Sequence, residues 1–118
     1  MGMGVPTQVY SPALHAIEKE IEAIVGMARR HASIRQVIIF GSFAYGSPRD
    51  DSDLDLCFIA DDSRSELDLI RAYREELAGR IGRPMDVLVY TPEKFAWRAD
   101  SISTIEKTIK SKGITIYG

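Results

Sequence analysis

Cysteine is nearly absent from this chain of 118 residues: Cys57 is the single one. One thiol excludes a disulfide framework, and a reducing, cytoplasmic setting is expected. Cys57 lies inside an apolar run and reads as a small buried hydrophobe, not as a reactive thiol. Long apolar runs are missing as well. None approaches the roughly 20 residues that span a bilayer, so no membrane role is expected. The opening "MGMGVPTQVY" has neither a charged n-region nor a long apolar stretch, so it does not read as a signal peptide. Pro6 stands where a myristoylation signal needs Ser or Thr. Residues 1–10 read as a loosely ordered end, and residues 11–118 as one folded domain. Positive charge is not in excess: 15 Lys and Arg against 17 Asp and Glu leave a net charge of −2. That excludes a basic footprint for a nucleic-acid backbone, and nucleic acid is not expected as a direct partner. Histidine is scarce. His31 has no second His or Cys at metal spacing and reads as a solvated cation at a helix C-terminus.

What is present is an ordinary globular balance, 45% apolar and 27% charged. Ser11-Pro12 opens a helix, with Ser as cap and Pro in the first turn. Leu14, Ile17, Ile21, Ile24, Val25 and Ala28 continue it at three- and four-residue spacing, to an end near "ARRHAS". "QVIIF" is a strand apolar on both faces and therefore central. "GSFAYGS" is a Gly-punctuated turn with room for one helical turn, and "DLDLCFIA" is a second strand. "DDSRSELDLIRAYREELAGRIG" reads as an amphipathic helix with Leu67, Ile70, Leu77 and Ile81 towards the core. "RPMDVLVYT" is a third strand. "PEKFAWRADSISTIEKTIKSKG" is one or two helices ending at Gly113, and "ITIY" is a short edge strand. The β-helix-β unit demands a parallel strand pair with a right-handed crossover. The short link before it permits an antiparallel neighbour. The expected class is α/β, a mixed β-sheet flanked by helices.

The acids concentrate the chemistry. Period two along a strand puts Asp53 and Asp55 on one face, about 7 Å apart, with Leu54 and Leu56 on the other. Two half-buried carboxylates repel unless a cation lies between them. Hard oxygen ligands select Mg2+, or Mn2+ in its place. Asp86 sits within the apolar run of the third strand and also needs a partner. If the second and third strands are parallel neighbours, Asp86 lies beside Asp55, and three carboxylates can hold two metals about 4 Å apart for in-line phosphoryl chemistry. Gly41 lets the backbone approach a phosphate closely, and the Ser42 hydroxyl adds a donor. Gly-Ser alone is a common tight turn, and Asp-x-Asp alone a common solvated loop. Gly-Ser, ten residues, then Asp-x-Asp is much rarer, on the order of one in several hundred chains of this size. Asp50 and Asp51 read as loop solvation.

"GSFAYGSPRDDSDLDL" resembles the signature of the DNA polymerase beta-type nucleotidyltransferase superfamily. In size and ending the chain is similar to the minimal nucleotidyltransferases (MNT), often antitoxins paired with HEPN-domain toxins. The resemblance runs from the first helix through "IEKTIKSKGITIY" and implies the nucleotidyltransferase fold. It implies that Gly41 and Ser42 hold the triphosphate of an NTP, with ATP the expected substrate. Asp53 and Asp55 would bind Mg2+. Asp86 matches the third acid, a metal ligand that also helps deprotonate the attacking hydroxyl. Many MNT proteins carry Arg where this chain has Tyr45, and Arg49 is the candidate substitute at the phosphates. The implied activity is transfer of AMP, or another NMP, to a hydroxyl of a partner protein, a HEPN toxin. The alternative is a non-catalytic, nucleotide-binding antitoxin that neutralises its partner by contact. "KFAWRAD" offers Phe95 and Trp97 either to an interface or to the core under the last helix.

Overall fold

The computed structural model describes residues 11–101 and 104–118. The reading of residues 1–10 as a loose end lies outside the described residues. The elements are α1 (Pro12–His15), α2 (Glu18–Arg30), β1 (Ile34–Phe40), α3 (Ser42–Tyr45), β2 (Leu54–Ala60), α4 (Glu66–Leu77), β3 (Met85–Tyr90), α5 (Pro92–Ala99), α6 (Ile105–Lys112) and β4 (Ile114–Tyr117). The four strands form one mixed sheet in the order β3-β2-β1-β4. β1 pairs antiparallel with both β2 and β4, while β2 and β3 are parallel. The mixed sheet, its central β1 and its edge β4 agree with the expectation from sequence. No described helix is long and apolar enough to cross a membrane.

Alternation along the strands splits the core between two faces. Val37, Ile39, Leu54, Leu56, Phe58, Val87 and Val89 pack with Ile21, Ile24, Leu69, Tyr73 and Leu77 of α2 and α4. Ile38, Phe40, Cys57, Ile59 and Tyr90 pack with Phe95, Ala99 and Ile109 of α5 and α6. Cys57 is fully buried, and burial pushes its thiol up to about 12, so the apolar reading of this residue holds. Glu106 is buried in this second layer. The Tyr90 hydroxyl donates to its carboxylate at 2.6 Å, and Arg98 Nε lies 3.1 Å from the same oxygen.

Three expectations need correction, and one open question is decided. The first helix is not continuous. Ser11 does cap it, accepting from the Leu14 N–H, but Ile17 leaves helical geometry at φ −122° and ψ 28°. Its side chain is fully buried, and its N–H bonds back to the Leu14 carbonyl at 3.1 Å, so packing overrides the periodic pattern. In α4, Leu67 faces solvent at 54% exposure. The cap sets the phase: Ser65 accepts from the Asp68 N–H at 3.1 Å, starting the helix at Glu66 and turning Leu69, Tyr73 and Leu77 inward. Ile70 is half-buried, and Ile81 reaches the core from beyond the helix, after a turn at Gly79 with φ +82°. His31 is not a freely solvated side chain. Its Nε2 lies 2.7 Å from Glu76 Oε1, and its ring meets Tyr73 edge-on. Trp97, open from sequence between an interface and the core, is 71% exposed, whereas Phe95 is buried.

The rotation of α4 sets up a comparison. Leu69→Ala is expected to lower unfolding free energy by about 2–5 kcal/mol, as buried large-to-small changes do. Leu67→Ala should stay within about 0.5 kcal/mol of the parent. Urea denaturation of both variants measures the difference, and equal losses would contradict this phase of the helix.

Candidate active site

The end of β1, the start of β2 and the start of β3 meet at one end of the sheet. Phe40 pairs with Asp55, and Asp55 with Asp86, in one row across three strands. Leu54 and Leu56, fully buried on the other face, fix which way Asp55 points. Asp55 is half-buried; Asp53, in the turn just before β2, and Asp86 are exposed. Burial, then the charges of Asp86 and Asp53, push the Asp55 carboxyl up to about 6. This is what unneutralised carboxylates do when held together.

Gly41 makes the row possible. It follows β1 at φ +75°, and a Cβ there would land on the Asp55 carboxylate. Any other residue would lose both the backbone conformation and the space. Its carbonyl accepts from the Ala44 and Tyr45 N–H groups, both at 3.0 Å, which closes α3. Ser42 begins that turn and is half-buried beside it.

The structure therefore brings Gly41, Ser42, Asp53, Asp55 and Asp86 to one end of the sheet. It does not draw the acids into a closed ligand cage: among the described residues, no three His, Cys, Asp or Glu side chains form a metal-holding group. Their donor chemistry still fits a hard divalent cation, since all are carboxylates and burial together with its acidic neighbours makes the charge on Asp55 costly without a positive partner. Arg49 stands in the loop between α3 and β2. It is exposed and lines a cavity of about 420 Å³ with Pro12, Phe43, Gly46 and Arg83, to which none of the three acids contributes. Sequence reasoning missed Arg83. An Arg in "GRIGRPMD" carries no periodic or motif signal; only the fold shows it beside the turn that leads to Asp53.

A family model described as "Polymerase beta, Nucleotidyltransferase" matches residues 22–118. The chain belongs to that family. Among solved structures, it is similar to a candidate minimal nucleotidyltransferase, at 26% identity and a TM-score of 0.58, over 92% of this chain and 97% of the other. It shares its fold with a protein of a toxin–antitoxin crystal structure with AMP-PNP, at 19% identity and a TM-score of 0.60, over 83% of this chain and 73% of that one. It also shares the fold of a candidate nucleotidyltransferase from Sulfolobus solfataricus, at 18% identity and a TM-score of 0.55, over 97% and 90% of the two chains. No curated protein sequence matches the chain significantly.

The strained acid row predicts a pH signature. A carboxyl whose folded pKa is raised binds its proton more tightly in the folded state. Its penalty is absent below the unfolded value of about 4, grows as pH rises, and is complete above the folded value near 6. In chelator, Asp55→Asn should match the parent's Tm at pH 4 and exceed it at pH 8. A Tm difference that does not change with pH would show that Asp55 is not strained.

Proposed function

We propose that the chain is a minimal nucleotidyltransferase that transfers AMP, or another NMP, from an NTP to a hydroxyl of a partner protein. The expected nucleotide is ATP, and the expected partner is a HEPN-domain toxin for which this chain is the antitoxin. A cytoplasmic setting goes with this reading, as does one domain over residues 11–118. The observation that carries the proposal is the registered row Phe40–Asp55–Asp86 with Gly41 just beyond it: the glycine clears space for one carboxylate, and a second stands directly beside it.

Asp53, Asp55 and Asp86 are the residues that would hold Mg2+ or Mn2+. When bound, the cation neutralises the phosphate oxygens and makes the α-phosphorus more electrophilic. Gly41 and Ser42 present backbone and hydroxyl donors to the triphosphate, and Arg49 is the candidate for its outer end. In the transfer, the acceptor oxygen forms a bond to the α-phosphorus. The bond from that phosphorus to the bridging oxygen breaks, and pyrophosphate leaves. Asp86 takes the acceptor's proton. Its exposed position on an outer strand suits a group that meets an incoming protein.

A second reading is neutralisation by contact alone. Trp97 favours it, as a large aromatic left exposed on α5. Co-purification of the native complex with mass measurement of each partner separates the two. An added AMP mass on the partner supports transfer, and its absence from an inhibited partner supports contact.

ATP is expected to bind weakly in chelator and much more tightly with Mg2+, because triphosphate oxygens and Asp53 and Asp55 repel one another. Calorimetry in both conditions tests this, and equal affinities would remove the cation from the site. Asp53→Asn or Asp55→Asn should abolish transfer in a folded protein. Asp86→Asn should lower the single-turnover rate more than the ATP affinity, since its role lies on the acceptor side. A collapse of affinity with the rate kept would assign Asp86 to the nucleotide instead.

A further inference from the structure

We infer that Arg83 is a positioning residue: it fixes the backbone of Asp53 and ties it to the segments that carry Gly41-Ser42 and Asp86. The inference rests on the reading of Asp53 as part of the site. Asp53 is exposed and lies outside the strand, so neither burial nor sheet pairing of its own holds it. It must nonetheless stay near two like charges. The restraint comes from its two peptide groups.

The peptide before Asp53 is held through its carbonyl. Arg83 NH1 donates to the Ser52 carbonyl at 3.3 Å and to the Asp50 carbonyl at 3.2 Å. The peptide after Asp53 is held through its N–H, which belongs to Leu54 and donates to the Pro84 carbonyl at 2.9 Å. Neighbouring residues 83 and 84 thus grip both sides of one aspartate. The guanidinium also lies over the Phe43 ring, 5.0 Å from its centroid, and Phe43 directly follows Gly41-Ser42. Two residues beyond Pro84 comes Asp86, in register with Asp55. One side chain therefore touches the turn before Asp53 and the segment of Ser42, from a position three residues ahead of Asp86. Among the described residues no ion pair joins Arg83 to the three acids; its guanidinium hydrogen bonds go to the backbone carbonyls of Asp50 and Ser52.

Arg suits this place better than Lys. A planar guanidinium can stack on a ring and donate sideways to two carbonyls at once, whereas an ammonium cannot hold that geometry. Arg83→Met keeps an apolar stem against Phe43 and removes the donors. Arg83→Lys keeps the charge.

The test is hydrogen exchange on the whole protein, with Mn2+ titration in parallel. The Ser52 N–H, bonded to the Arg49 carbonyl, and the Leu54 N–H report the two sides of Asp53. In Arg83→Met, both should exchange about tenfold faster or more, with residues 56–59 of the sheet unchanged. Mn2+ affinity should fall by about tenfold, and Arg83→Lys should recover only part of each loss. Unchanged exchange at Ser52 and Leu54, or a rise spread evenly over the sheet, would overturn the positioning role. So would a loosened turn with Mn2+ affinity kept. If the parent protein takes up no Mn2+, the metal reading fails, and exchange alone decides the role of Arg83. Should Arg83→Met not fold, the same exchange comparison is made on Arg83→Lys.

Discussion

Because β2 and β3 run parallel in the register Asp55↔Asp86, two carboxylates stand side by side, and the rest of this end of the molecule accommodates them. The parallel pair requires α4 as its crossover, and α4 in turn covers one face of the sheet with Leu69, Tyr73 and Leu77. The apolar residues of β2 fill that face, which leaves Asp55 on the other. Next to it, β1 ends in a residue with no side chain, so the carboxylate has somewhere to go. Repulsion among the acids is thus not an accident of an open loop. It is held in place by strand register, a covered face and a glycine, and it is relieved when positive charge arrives.

Much of this was legible in the amino-acid pattern because it depends on short-range rules. Apolar strands with period two place Asp55 opposite Leu54 and Leu56. A helix between two strands makes them parallel, and parallel pairing brings Asp86 to Asp55. Gly-Ser before Asp-x-Asp points to phosphate and metal chemistry, and the polymerase beta family match agrees with the class of protein that this motif suggested.

What was not legible depends on contacts between segments far apart in sequence. Periodicity could place Leu67 inward as readily as Leu69; the Ser65 cap decided the phase. His31 sits at a helix end, where a solvated cation is the ordinary case, but Glu76 of α4 comes to meet it across 45 residues of chain. Ile17 fits a helical stripe and yet breaks the helix, since its burial is better served by a bend. Arg83 belongs to no pattern at all: its partners are two carbonyls more than 30 residues away. Trp97 was open in either direction, and only the packing of α5 shows that Phe95 fills the core while Trp97 does not.

The place of β3 in the strand order has a bearing on solubility. β3 is the outer strand on its side of the sheet, and its outward row of backbone donors and acceptors meets no other strand among the described residues. Such a row is a template for joining sheets edge to edge. Asp86 stands exposed on that strand. A strand arriving from another molecule would have to strip water from its charge, a step that water opposes strongly. A charged side chain on an open edge is one of the ways in which sheets resist edge-to-edge pairing, and the carboxylate proposed to take a proton from the acceptor stands in that place. Replacing it with a neutral side chain therefore trades away colloidal protection, even where folding is untouched.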